Sequence, residues 1–179
     1  LVVLPFWTSF LLRVYAWIGI LSPHGLINTF LMKGGIIAQP LILLNTTFAT
    51  ILGIIYCYLP FMILPLYASL EKIDYTLTEA AYDLGARPFE VFFKIIFPLS
   101  IPGVVAGSML VLIPAVGEFV IPELLGGSQT LMIGKILWNE FFTNHDWPVA
   151  SALAILMILF LVVPLAIFQK FQGQQGREI

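Results

Sequence analysis

The sequence predicts an all-α, polytopic membrane helix bundle. Of the 179 residues, 60% are hydrophobic and only 10% are charged, against about 45–50% and about 25% in an ordinary soluble domain. So few charges cannot cover a soluble surface of this size, and the mean hydropathy is +1.00; a soluble enzyme is all but excluded. No Lys, Arg, Asp or Glu occurs in residues 34–70, 95–117 or 147–169. About 20 apolar residues of helix cross a bilayer core of about 30 Å, so each run is long enough to span. Backbone polar groups must pair internally in lipid, which makes the spans helices. The short alternating segments of a barrel are absent.

In chain order, residues 1–21 form the first span or its remnant, with Arg13 inside it. A connector follows, with turn residues Ser22-Pro23-His24-Gly25 and Gly34-Gly35. The second span covers about 47–70, and Asn45, Thr46 and Thr47 stand where its first N–H groups need acceptors. Residues 71–100 form the next loop, whose part 71–94 carries Lys72, Arg87 and Lys94. The third span, about 101–125, contains Pro114, Glu118 and Pro122. A polar and aromatic connector leads to the fourth span, about 149–168, and a short tail with Lys170 and Arg177. The two other connectors hold one Lys each, Lys33 and Lys135. The excess of basic residues puts segment 71–100 and the tail in the cytoplasm. The chain opens at Leu1 in an apolar stretch without a basic leader, and is read as an N-terminally truncated piece of a longer membrane protein.

Other function classes are poorly served. Net charge is −2 with no basic patch, so nucleic acid is not a partner. One Cys, Cys57, gives neither a disulfide framework nor a zinc site, and no metal is expected. His24 and His145 lie far apart in connectors. No catalytic constellation occurs, and the chain is expected not to be an enzyme.

The cytoplasmic segment carries the local signals. Thr76-Leu77-Thr78-Glu79 fits a capping box, Gly85 suits the left-handed position after a helix end, and Arg87-Pro88 opens a second helix. That helix places Phe89, Phe92, Phe93 and Ile96 on one face, with Glu90 and Lys94 paired on the other. Ala80, Ala81 and Gly85 leave one side with little bulk, so another protein's backbone can approach. On the residues alone, a docking handle and a loop that merely closes the bundle stand level.

Charges in and near the spans suggest a route for a cation. Glu118 lies between two prolines in the third span, and an ionisable residue in a membrane ordinarily faces a bundle interior or water. A carboxylate solvated at the outer end of the span is the equal alternative. Glu123, Asp146, Trp138 and Trp147 add carboxylates and aromatic faces that suit an alkyl-ammonium. An interfacial aromatic belt accounts for most of those rings equally simply. Arg13 is assigned to structure or gating.

Glu79-Ala80-Ala81, three residues, Gly85, nine residues, then Ile95-Ile96-Phe97-Pro98 resembles the EAA loop of ABC importer permeases, with Phe97 in place of a Leu. That resemblance implies a type I importer permease (MetI-like) fold. It assigns Glu79, Ala80, Ala81, Gly85, Ile95 and Pro98 to coupling with an ATPase subunit. Pro5-Phe6-Trp7, Arg13-Val14-Tyr15, Leu59-Pro60-Phe61-Met62, Pro114-Ala115-Val116-Gly117-Glu118 and Asp146-Trp147-Pro148 are similar to the spermidine/putrescine permease subunits. The stretch from Gly117-Glu118-Phe119 through Gly126-Gly127 is most like the putrescine type. Such subunits have six spans, so these would be the C-terminal four.

The implied partners are an ATP-binding cassette ATPase dimer, a second permease subunit, an external polyamine-binding protein and the lipid bilayer of a bacterial inner membrane. ATP would be bound by the ATPase, because G-x-x-x-x-G-K-[ST] is absent here and Gly134-Lys135-Ile136 fails it. The alternatives are a channel or secondary-transporter fragment with an ion site at the broken helix near Pro114 and Pro122, a permease for another small solute, or a purely structural membrane subunit.

Overall fold

The computed structural model describes residues 9–127 and 130–175, with side chains described to residue 166. The Pro5-Phe6-Trp7 motif and the basic side chains of the tail lie outside the described residues. Among the described residues, four helical stretches are long and apolar enough to cross a membrane: Phe10–Lys33, Thr47–Leu70, Pro88–Val116 and Trp147–Ala166.

The first stretch is two helices, α1 (Phe10–Leu21) and α2 (Leu26–Lys33). The turn residues Ser22 to Gly25 interrupt it, so the segment read as a connector contains a helix of eight residues. A side chain at Gly25 would collide with the carbonyls of Gly19 and Ile20, so the turn is tight against the end of α1. Asn28, fully buried, gives the following loop its course. Its side chain accepts from the Leu41 N–H at 2.8 Å and donates to the Leu41 carbonyl at 2.9 Å and the Ser22 carbonyl at 3.2 Å. The amide thus satisfies both backbone groups of Leu41 away from water.

Helix α3 (Thr47–Leu70) is capped by Thr46, whose hydroxyl accepts from the Ala49 N–H at 3.2 Å. Helix α4 (Tyr75–Asp83) follows, then α5 (Pro88–Val91), a π-helical turn (Phe92–Ile96) and α6 (Phe97–Val116). The last three run on as a single helix of 29 residues. The helix that covers the expected third span of about 101–125 therefore starts earlier, at Pro88, and stops at Val116. Short helices α7 (Val120–Leu124) and α8 (Ile133–Trp138), a second π-helical turn (Asn139–Thr143) and the long α9 (Trp147–Gln175) complete the chain. Helix α9 outruns the expected 149–168 at both ends.

Helices α3 and α6 form the central pair. Gly103 and Gly107, one turn apart on α6, face Pro65 with Ser69 and Met62 on α3. A methyl group added at Gly107 would sit 2.9 Å from the Met62 carbonyl. Hydrophobic attraction between helices is weak in lipid, so close backbone approach at small residues supplies much of the packing. The buried core joins Val14 and Leu21 of α1, Ala49, Cys57 and Tyr58 of α3, and Ile121 and Leu125 at α7. Helix α7 is thereby wedged beside α3, where Gly53 leaves room for Ile121 and Leu125. Outward residues of α9 such as Phe160 and Ile155 are exposed, as a lipid-facing helix requires.

Candidate functional site

Two places hold residues singled out by the sequence: the exposed helix α4, here called the handle, and a mainly apolar cavity between α1, α3 and the end of α6 that contains Arg13 and Glu118.

The handle starts at Asp74. Its carboxylate accepts from the Thr76 N–H at 2.9 Å, and that bond holds the carboxyl below the usual range. The capping box expected at Thr76 and Glu79 is therefore replaced by an aspartate cap two residues earlier. An ionised acceptor at a helix start gains from the helix dipole as well as from the bond. The helix ends in a Schellman arrangement. Gly85 has φ +81°, and the Ala86 N–H donates to the Ala81 carbonyl at 3.0 Å. Glu90 then caps the next helix, accepting from the Arg87 N–H at 3.0 Å, and pairs with Lys94 at 3.4 Å. Both interactions hold its carboxyl below the usual range, the backbone bond first.

No residue of α4 is buried. Glu79, Ala80, Gly85 and Pro98 are exposed, while Ala81 and Ile95 are half-buried. Leu77, Tyr82 and Leu84 also stand outward, Leu84 at 89%. Phe89, Phe92 and Phe93 are exposed, and Val91 is the buried residue. The π-helical turn over Phe92–Ile96 breaks the 3.6-residue period on which the expected face depends.

The cavity, of about 380 Å³, is lined by Arg13, Tyr58, Phe61, Pro114 and Glu118 among others. Glu118 is 6% exposed, so it is not a carboxylate solvated at the surface. One oxygen, Oε1, accepts from the N–H groups of Val120 at 2.8 Å and Ile121 at 3.1 Å. The other, Oε2, accepts from the Tyr58 hydroxyl. Helix α6 has already ended at Val116, and the two Oε1 bonds pair the first N–H groups at the start of α7, which a continuing helix would give to carbonyls one turn back. Tyr58 is the twelfth of the 24 residues of α3, so its backbone lies near the middle of that helix, while Glu118 lies two residues past the end of α6. Arg13 lies beside the Phe10 ring, with Cζ 5.9 Å from its centroid.

The remaining candidates divide between two groups. Trp138 stacks on Phe119, the neighbour of Glu118, with centroids 4.1 Å apart and planes at 6°. It also packs on Phe142 at 4.2 Å. Glu123 is paired with Lys135 at 3.1 Å, and the Lys135 ammonium also donates to the Pro122 carbonyl at 3.4 Å. Asp146 lies apart from the cavity lining, where it caps α9 by accepting from the Val149 N–H at 3.2 Å, and Trp147 beside it is exposed. Of the anticipated path residues, only Glu118 lines the cavity, and Trp138 buttresses its neighbour. Tyr58 was missed by sequence reasoning: a lone tyrosine in an apolar run gives no sign of the glutamate sixty residues away. Among the described residues no cluster of His, Cys, Asp and Glu suits a metal ion.

Residues 2–175 match the family model described as binding-protein-dependent transport system inner membrane component. The chain belongs to that family. It is a multi-pass protein of the bacterial inner membrane with an ABC-transporter permease fold. It is 43% identical to the spermidine/putrescine transport system permease protein PotB of Haemophilus influenzae, covering 100% of this chain and 63% of that protein. Against PotB of Escherichia coli K12 the identity is 41%, with 95% and 62% covered. The chain thus spans less than two thirds of the length of these curated relatives. Among solved structures, a bacterial alginate ABC transporter in complex with an alginate pentasaccharide-bound periplasmic protein superimposes with TM-score 0.71. That pair is 19% identical, over 93% of this chain and 61% of the other. A second alginate importer structure gives 0.66 at 22% identity, over 99% and 64%. At such identities these two establish the fold and not the cargo.

Proposed function

We propose that the chain is a permease subunit of an ATP-driven importer for polyamines, putrescine before spermidine, working by alternating access. The observation that carries this is identity above 40% to spermidine/putrescine permease proteins along almost the whole chain. Helix α4 supports it, since it has caps at both ends, no buried residue, and several apolar side chains turned outward. On this reading α4 faces the cytoplasm and docks on an ATPase dimer, which binds the ATP. A second permease subunit completes the path, and an external binding protein delivers the cargo. Closure of the ATPases shifts α4, and α5 with α6 follow as one continuous helix. Cargo and ATPase must each favour one of two states of the bundle for this to work.

The cargo's ammonium would meet Glu118 from the open side of the cavity, next to the Tyr58 hydroxyl. The test is uptake of labelled putrescine and spermidine into proteoliposomes holding the intact transporter, with and without ATP. Glu118→Gln keeps an acceptor for α7 but removes the charge, and uptake is expected to fall at least tenfold, on the order of 1.4 kcal/mol of lost interaction. Undiminished uptake removes Glu118 from the path. Uptake that needs only an ion gradient overturns the ATP-driven reading.

A further inference from the structure

The hydrogen bonds around Glu118 decide what kind of group the cavity can still receive. A carboxylate has about four acceptor places, two on each oxygen, while a tyrosine hydroxyl has one proton to give and lone pairs that accept. Oε1 of Glu118 takes two donors, the N–H groups of Val120 at 2.8 Å and Ile121 at 3.1 Å. Oε2 takes the Tyr58 hydroxyl proton. By that count Oε1 is filled and Oε2 has a place left. The Tyr58 oxygen has given its proton to Oε2, so toward any further group it acts as an acceptor. Both residues line the cavity, and the pair therefore presents two neighbouring oxygens of the same polarity.

Charge and aromatic faces select poorly among cations here. Arg13 lines the same cavity and lies beside the Phe10 ring, and its charge works against any cation alike. Phe10, Phe61 and Phe119 also line it, and a ring face attracts ammonium groups whether or not they carry methyls. What separates one ammonium from another is the number of N–H groups it can place on the two oxygens.

We propose that Tyr58 is a specificity-determining residue: its hydroxyl oxygen and Glu118 Oε2 receive two N–H groups of one cargo nitrogen. This rests on the reading that the cargo meets Glu118. Primary and secondary ammonium groups supply two N–H donors and fill both oxygens. A tertiary ammonium supplies one and leaves an oxygen unpaired, the kind of mismatch by which a hydrogen-bonding site rejects an analogue.

The experiment uses the intact transporter in proteoliposomes with one binding protein throughout. Uptake of labelled putrescine is compared with that of labelled tetramethylputrescine, which has two methyl groups on each nitrogen and keeps a single N–H on each when protonated. The binding protein's own preference is common to all variants and cancels when their uptake ratios are compared. Tyr58→Phe removes the oxygen and keeps the ring. Its putrescine-to-tetramethylputrescine ratio is expected to fall about tenfold below that of wild type, through loss of putrescine uptake with the methylated diamine little changed. Where the methylated diamine is carried too slowly to measure, equilibrium binding of both compounds to the permease–ATPase assembly without the binding protein supplies the ratio. If Tyr58→Phe does not assemble, Tyr58→Leu also lacks the oxygen, and its missing ring affects both diamines alike. A ratio equal to that of wild type overturns the proposal, provided Glu118→Gln impairs putrescine uptake. If Glu118→Gln transports normally, the reading beneath the proposal fails, and the proposal with it.

Discussion

Asn28 shows how much one side chain can decide in a helix bundle. It is fully buried, and its amide closes a two-way hydrogen bond with the backbone of Leu41, thirteen residues on. Removing one partner of such a set leaves the others dry and unpaired, at a cost of about 1–3 kcal/mol. Asn28→Ala is therefore expected to lower the unfolding temperature of the purified transporter by several degrees, and an unchanged transition would show that the bracket is dispensable. Asp74 acts at the opposite extreme of exposure. Its folded carboxyl is held below the ordinary value of 3.8 by the Thr76 N–H, so its stabilising effect is complete above that ordinary value. It is lost as pH falls through the lowered one. Exchange of the Thr76 amide, corrected for its intrinsic rate, is expected to lose protection only as pH falls below the ordinary carboxyl value of 3.8, and in Asp74→Ala that protection is expected to be missing throughout. Neither role is visible in the sequence. Asn28 is one polar residue in an apolar stretch, and its partner is set by a loop with no regular period. At Asp74 two acceptors, Asp and Thr, compete for one helix start, and the charged one prevails.

The elements follow rules of different legibility. Residues 47–70 announce themselves through hydropathy and the threonines ahead of them, because desolvation leaves an apolar run of that length little choice but helix. The third crossing is less readable, because hydropathy continues across Gly117 and cannot register that α6 ends at Val116 and α7 follows as a separate helix. The π-helical turn at Phe92–Ile96 likewise rotates the face that the regular helical spacing assigns to the phenylalanines. The α3–α6 pair depends on Gly103 and Gly107 being small, which the Gly-x-x-x-Gly spacing expresses in sequence. Gly107→Leu would force a side chain into the Met62 backbone, so α3 and α6 would have to separate. Overpacking of this kind costs typically about 1–3 kcal/mol, and the variant is expected to yield less assembled transporter with a lower unfolding temperature. A variant as stable as wild type would show that the two helices can slide apart freely. Gly85→Ala provides a contrast. Nothing lies within 4 Å of an added methyl there, and only the positive φ resists it, so its effect should be confined to the end of α4.

At the scale of the whole molecule, the bundle links two sites that no local pattern connects. The carboxylate at the cavity caps α7 immediately beyond the end of α6, and the opposite end of that same continuous helix adjoins α4. On the proposed reading a displacement of α4 would reach the cavity through this helix, whose π-helical turn is where it departs from regular geometry. The family pattern of the handle was legible because it is local and contiguous. The cavity was legible only at Glu118, since Arg13, Tyr58 and Glu118 come from three separated segments. The handle's proposed use can be tested directly. Helix α4 has no buried residue, Ala81 and Thr78 being half-buried and the others exposed, so a cysteine at position 81 is expected to form a short cross-link to a cysteine on the ATPase surface. The yield is expected to change between the nucleotide-free and ATP-trapped assemblies, because a coupling contact must differ between the two states. Cys57 is buried and offers little competing reaction. Complete failure to capture the ATPase in an assembly that still transports would mean that α4 is not the docking element. Equal capture in both nucleotide states would mean that it docks without transmitting the change.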